Sequence, residues 1–267
     1  MSIALSLTAA VSKFCQILPT SSPKLRNRLS SSLPHCGRHR TNMAWHSSGA
    51  SNDALIENLF QNGLVTSLRV REAMKKVDRA HYAPIAPYQD SPQSLGHAAT
   101  ISAPHMHAPA AESLLPYLRP GARVLDIGSG SGYLTHVLAH LVQPGGSVVG
   151  IEHIQPLVEI GERNVGKSTE GRKLLEDGGM KFVKGDGREG WKGSAPYDAI
   201  HVGAAVAGEK GWSRIVEQLK APGRLFVPVG ENFHQYIYVI DKDEHGNVTK
   251  KKEYGVQYVP LTDAPVE

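Results

Sequence analysis

Residues 124–132 read Val-Leu-Asp-Ile-Gly-Ser-Gly-Ser-Gly, and Tyr-Leu-Thr-His-Val-Leu-Ala-His-Leu follows over 133–141. An apolar run ends in an acid, three glycines stand at alternate positions (Gly128, Gly130, Gly132), and a second apolar stretch begins. The pattern predicts a strand, a tight turn and the N-terminus of a helix. Glycine admits positive φ and keeps a Cβ out of the path of an approaching ligand. A helix N-terminus adds N–H groups and partial positive charge. The segment is therefore predicted to bind a nucleotide-like ligand.

The identity of that ligand follows from the spacing and the acids. G-x-G-x-G differs from the G-x-G-x-x-G of dinucleotide sites, and none of these three glycines is followed by the Lys-Ser/Thr of a P-loop. Asp126 would repel a pyrophosphate, but it suits a ligand carrying an ammonium and a sulfonium. Twenty residues beyond Gly132, the run Val-Val-Gly-Ile-Glu (148–152) ends in Glu152, an acceptor for ribose hydroxyls. Together these residues favour S-adenosyl-L-methionine over NAD. A plain strand–helix turn would leave three glycines without a purpose.

Outward from this segment, strands are predicted over 122–127, 147–152, 180–184, 197–202 and 223–229. Helices alternate with them over 131–142, 154–166 and 210–219, and a hairpin is expected from 235 to 259. Such alternation gives a doubly wound, mostly parallel α/β sheet with helices on both faces. Ligands in such sheets bind beyond the carboxyl ends of the strands. The loops after Ile127, Ile151, Val183 and Val202 are therefore the functional ones. The third reads Gly185-Asp186-Gly187, with a carboxylate for an adenine amino group and a glycine N–H for a ring nitrogen. Upstream, Ser51-Asn52 caps a helix over 53–62, and Ser67 caps another through Val77. Residues 83–104 hold four prolines and read as an irregular loop of functional length. The organisation is an N-terminal helical segment (43–120) followed by a Rossmann-like core (121–267).

The net charge of +4 misleads. Residues 1–42 hold six basic residues (Lys13, Lys24, Arg26, Arg28, Arg38, Arg40) and no acid. The rest of the chain sets 23 basic residues against all 25 acidic ones, which argues against nucleic acid as a partner. No run of about 18 apolar residues is present, so no membrane span is predicted. Both cysteines, Cys15 and Cys36, also lie in the leader, which rules out a cysteine nucleophile or cysteine-bound zinc in the body. The leader is Ser-rich, basic and acid-free, the composition of an organellar transit peptide, or else a disordered tail. A mitochondrial destination follows if it is a transit peptide, and a cytoplasmic one otherwise.

The segment Ala-Thr-Ile-Ser-Ala-Pro-His-Met-His (99–107) adds specificity. With Asp-Ser-Pro-Gln (90–93), the Gly-rich segment, Gly-Asp-Gly and Pro-Tyr-Asp-Ala-Ile-His-Val-Gly-Ala-Ala (196–205), it resembles the protein-L-isoaspartate (D-aspartate) O-methyltransferases. The resemblance runs from Met43-Ala44-Trp45 to Thr262. It implies a Rossmann-like class I S-adenosylmethionine-dependent methyltransferase fold. The implied reaction moves a methyl group to the free carboxylate of L-isoaspartyl and D-aspartyl residues in damaged proteins and peptides. By the resemblance, Ser102 is the active-site serine, and Ala99, Thr100, Ile101 and His107 form the cofactor-contacting loop. Glu152 and His153 fall at the ribose, Asp186 and Gly187 at the adenine, and Thr262 at a late contact from a C-terminal strand (258–261). Glu152 stands where Asp is frequent, which keeps the acceptor. Pro109 is expected in a first helical turn, where its missing N–H costs little.

A carboxylate is already ionised at neutral pH, so no general base is required. Ser102 suits a hydrogen bond that orients the substrate, since a strong cation there would blunt the attack. His105-Met-His107 resembles a metal-binding pair, but two ligands on one loop with no carboxylate or cysteine beside them are insufficient, and no metal is expected. His105 and Trp191 read as packing residues. Lys250-Lys251-Lys252 reads as a solvated guard on a sheet edge. Nothing in the sequence demands more than a monomer. The alternatives are a small-molecule carboxyl O-methyltransferase, a non-catalytic cofactor-binding interaction protein, and, weakest, an NAD-linked oxidoreductase.

Overall fold

The computed structural model describes residues 47–231 and 234–263, so the leader and the Met43-Ala44-Trp45 start lie outside the described residues. Two helices open the described chain, α1 (Asn52–Gln61) and α2 (Leu68–Lys76). The Ser51 hydroxyl accepts from the Ala54 N–H and the Ser67 hydroxyl from the Arg69 N–H, so both predicted caps form. A two-stranded hairpin, β1 (Gln93–Gly96) and β2 (Ala99–Ile101), leads into α3 (Pro104–Leu114). The expected irregular loop thus carries a hairpin. Its turn runs through His97 and Ala98 at φ 52° and 57°, conformations that no glycine signature at those two positions advertises. Pro109 lies in the second turn of α3 and not the first, because Pro104 already starts the helix. Its ring removes the N–H that would meet the His105 carbonyl.

The central sheet has seven strands in the order β5-β4-β3-β6-β7-β8-β9. Its parallel part comprises β3 (Arg123–Ile127), β4 (Ser147–Glu152), β5 (Met180–Lys184), β6 (Tyr197–Val202) and the start of β7 (Leu219–Glu231). Between them run α4 (Tyr133–Leu141), α5 (Gln155–Val165), α6 (Thr169–Glu176) and α7 (Ser213–Glu217). Antiparallel β8 (His234–Lys242) and β9 (Val248–Val256) complete the sheet. The expected terminal strand at 258–261 is instead an irregular segment, held by a bridge between Pro260 and Ala205.

Alternation along β3 divides the core. Val124 packs with α1 to α4 on one face, and Leu125 and Ile127 pack with Ile200, Val202 and Ile215 on the other. All of these are fully buried. Burial of each such side chain contributes roughly 1.5–3 kcal/mol. Asp126 shares the face of Val124, which turns its carboxylate toward Thr135 of α4. β9 forms the outer edge, where Lys250 pairs with Glu209, Lys251 with Glu253, and the Lys252 ammonium lies over the Tyr236 ring. Among the described residues, no helix is long and apolar enough to cross a membrane.

Candidate functional site

Two pockets open beyond the carboxyl ends of the parallel strands. The first is lined by Thr100, Ile101, Ser102 and His107 together with Asp126 and residues 128–131. Tyr133, Leu134, His201, Gly203 and Tyr258 complete it. The second gathers His153, Gly185, Asp186 and Thr262 with Lys184, Arg188 and Asp263. The sequence-predicted residues thus meet at one end of the sheet, in two groups. Ala99, Gly132, Glu152 and Gly187 line neither pocket: Ala99 pairs with Gly96 in the hairpin, Gly132 caps α4 in the left-handed region, Glu152 ends β4 and Gly187 follows Asp186.

The glycine loop is knitted into the sheet. Gly128 and Ser129 N–H both donate to the Ile151 carbonyl, and Gly130 N–H donates to Glu152 Oε2 at 3.2 Å. These N–H groups are therefore engaged within the protein, contrary to a purely ligand-facing loop. The face open to a ligand is the one that side chains would fill. Gly128 and Gly130 have φ of 75° and 49°, and an added Cβ would meet no atom closer than 3.6 Å. Beside them, the buried Ser129 hydroxyl has no partner. A cradle that a Cβ would fill, an acid at its back and an unused donor fit an adenosyl sulfonium ligand.

Asp126, 1% exposed, accepts from Thr135 Oγ1 at 2.5 Å and from His201 Nδ1 at 2.7 Å. It is both a pocket wall and an internal tie. Glu152 accepts from the N–H groups of His153 and Ile154 as well as Gly130, which uses three of its roughly four lone-pair directions. One direction is left open, although Glu152 is buried and lines neither pocket. Asp186 is less available than the sequence suggests. Both its oxygens accept from Arg188, which reaches on to Asp263 at 2.5 Å. The Arg188 hydrogen bonds hold the Asp186 carboxyl below its ordinary range. Gly187 is required by close packing, since a Cβ there would lie 2.5 Å from Ile127 Cγ2.

His105 is buried but does more than pack: its Nδ1 and backbone N both lie within 2.9 Å of buried Asp90 Oδ1, so a carboxylate does stand beside it, contrary to the expectation from its own loop. His107 lies 5.2 Å, ring to ring, from Tyr133, and burial together with the Arg79 charge pushes its pKa well below the ordinary histidine value. Trp191 packs in the second core cluster and against Gly193. Among the described residues, no group of three or more His, Cys, Asp or Glu is placed to hold a metal ion. Sequence reasoning missed His201, Gly203 and Tyr133 as wall residues, while Tyr258 belongs to the segment that the resemblance sets beside the substrate groove. Gly203 follows directly from the prediction that the loop after Val202 is functional, whereas His201 lies within β6 itself.

Residues 50–265 match the family model described as protein-L-isoaspartate(D-aspartate) O-methyltransferase. A protein-L-isoaspartate O-methyltransferase of Caenorhabditis elegans is 48% identical over 221 residues, 82% of this chain and 96% of the relative. One from Triticum aestivum is 48% identical over 213 residues, 79% of this chain and 91% of its own. Among solved structures, a putative protein-L-isoaspartate O-methyltransferase of Plasmodium falciparum, in complex with S-adenosyl-L-homocysteine, superposes with a TM-score of 0.72 at 31% identity. It covers 80% of this chain and 99% of that one. With the family model matched from residue 50 to residue 265 and relatives 48% identical over more than nine-tenths of their own length, this chain belongs to the protein-L-isoaspartate(D-aspartate) O-methyltransferase family.

Proposed function

We infer that the chain methylates the free carboxylate of L-isoaspartyl and D-aspartyl residues in damaged proteins and peptides, with S-adenosyl-L-methionine as donor, and so initiates their repair. The observation that supports this reading is that Ser102 and His107 line the same pocket as Asp126, Gly128 and Gly130. Ser102, Asp126, Gly128, Gly130, Gly132, Glu152, His153, Asp186, Gly187 and Thr262 would hold the cofactor, together with Ala99, Thr100, Ile101 and His107. When bound, that cofactor supplies an electrophilic methyl group on a positively charged sulfur.

The chain's own residues then have a limited task. The substrate carboxylate is ionised at neutral pH, so no side chain needs to remove a proton. Ser102 donates a hydrogen bond that sets one carboxylate oxygen, leaving the other free to attack. His107, held neutral, packs the wall without contributing a charge. The work is positioning and exclusion of water. The damaged protein is the partner; the acidic balance of the body speaks against nucleic acid, and a monomer in the cytoplasm is the working assignment. A transit role for residues 1–42, with mitochondrial delivery, is the variant that sequencing of the mature N-terminus tests.

The test of the reaction class is the chemistry of the product. Label transferred from S-adenosyl-L-methionine to a synthetic isoaspartyl peptide should be released as methanol by mild base, as from a carboxyl ester. Base-stable label would contradict carboxyl O-methylation.

A further inference from the structure

Arg79 is wholly buried, in the short turn that follows α2, although arginine is almost never fully buried unless paired. Its Nη2 donates to the Ser102 carbonyl at 2.7 Å and its Nη1 lies 3.4 Å from His107 Nδ1. Its guanidinium carbon stands 5.1 Å from the centre of the Tyr133 ring. All three neighbours line the first pocket. Arg79 Nε has no partner, and among the described residues no ion pair joins Arg79 to a carboxylate. The buried Asp90 carboxylate acts on it only at a distance: its Oδ1 is bound to His105 at 2.8 Å and its Oδ2 has no hydrogen-bond partner.

A buried cation with no carboxylate in direct contact is costly, and its position shows where a further negative charge would be useful. No Lys or Arg lines the first pocket. The carboxylate on its wall, Asp126, is already satisfied by Thr135 and His201. The reaction above nevertheless requires an anionic carboxylate to settle there.

We propose that Arg79 is a positioning residue for the substrate carboxylate, attracting it through the pocket wall while fixing the Ser102–His107 loop that receives it. The proposal rests on the isoaspartyl reading of the site. Placed behind the wall, with two donor groups directed at Ser102 and His107, the guanidinium supplies field without gripping the attacking oxygen. The nucleophilic lone pair is therefore not spent in a direct ion pair. A guanidinium that only props up the loop would have the same contacts, so the test must separate charge from support.

The full chain is compared with Arg79→Met and Arg79→Lys by thermal melting, calorimetric titration with S-adenosyl-L-homocysteine, and kinetics on an isoaspartyl peptide. Arg79→Met should raise KM for the peptide tenfold or more, with the S-adenosyl-L-homocysteine Kd within threefold. Arg79→Lys, which keeps a charge and loses the fork, should lie between the two. An unchanged KM in Arg79→Met overturns the proposal, as does parallel loss of S-adenosyl-L-homocysteine and peptide binding, or Arg79→Lys no better than Arg79→Met. Should Arg79→Met fail to fold, the wild type decides, through its affinity for the isoaspartyl peptide and for the same peptide with a carboxamide in place of the carboxylate. Tenfold weaker binding of the carboxamide is expected, and equal binding overturns the proposal. If the wild type leaves the isoaspartyl peptide unmethylated, the reading of the site falls and takes this inference with it. If it methylates the peptide while Arg79→Met keeps its KM, the inference alone falls.

Discussion

Asp126 and His201 stand in register across the β3–β6 pair and are joined by an Nδ1–Oδ1 hydrogen bond of 2.7 Å. The acid that announces the cofactor site in the sequence is therefore also a tie between the two central strands. With Thr135 on its other oxygen, it links both strands to α4.

Replacing Asp126 with Ala should weaken two properties at once. The orphaned His201 and Thr135 donors should cost about 1–3 kcal/mol each in denaturant unfolding. Calorimetry should show S-adenosyl-L-homocysteine bound at least tenfold more weakly. Asp126→Asn, which keeps one acceptor, should lose less stability than Asp126→Ala. Equal losses would separate Asp126 from the hydrogen bonds described.

Ser102→Ala should behave differently. The backbone carbonyl that Arg79 holds is retained, so the loop stays in place and only the hydroxyl is lost. Turnover should fall about tenfold or more, while the S-adenosyl-L-homocysteine Kd stays within threefold. The size follows from loss of one orienting hydrogen bond to a charged group, about 1.5–3 kcal/mol. Lost cofactor binding with turnover spared at saturation would contradict the role.

Gly187→Ala tests the packing of the second pocket. The new methyl would press on Ile127 Cγ2 and Leu261 Cδ1, displacing the loop that carries Asp186. A destabilisation of about 1–3 kcal/mol is expected from overpacking, read by urea unfolding. A neutral result would show that the loop yields freely.

The stability of the protein should fall in acid through α4. His136 is buried, accepts or donates to the Tyr82 hydroxyl at 2.5 Å, and stacks on His140 at 4.8 Å. Burial, then the neighbouring His140, pushes its pKa down to about 3. A histidine depressed on folding binds its proton in the unfolded state first, so its contribution is complete above about pH 6.5 and is lost progressively toward pH 3. Between pH 6 and 4, His136→Gln should therefore show a shallower stability–pH slope than the wild type by about 1.4 kcal/mol per pH unit. Identical slopes would refute the assignment.

Much of this was legible in the chain, and the exceptions have physical causes. The strands at 147–152, 180–184 and 197–202 were readable to the residue, because apolar runs there are bounded by Gly, Pro and charged residues. Helix α6 was missed: over 169–176 it offers only Leu174 and Leu175 as apolar anchors, and both are only partly buried. The β1–β2 hairpin was missed because its turn depends on His97 and Ala98 at positive φ. In the site, Ser102, Asp126 and Gly128 were legible from local motifs. Arg79 was not, since nothing local marks an arginine that tertiary packing will bury behind residues 23 and 28 positions away. Nor does the sequence reveal that Arg188 engages the Asp186 carboxylate, or that Glu152 secures the loop it follows.

The most direct test of the central claim is discrimination between isomers. Two peptides of identical sequence, one carrying an isoaspartyl and one an aspartyl residue at a single position, are offered to the enzyme with labelled S-adenosyl-L-methionine. The account predicts methylation of the isoaspartyl peptide and almost none of its partner. Equal labelling of both, or of neither, would contradict it.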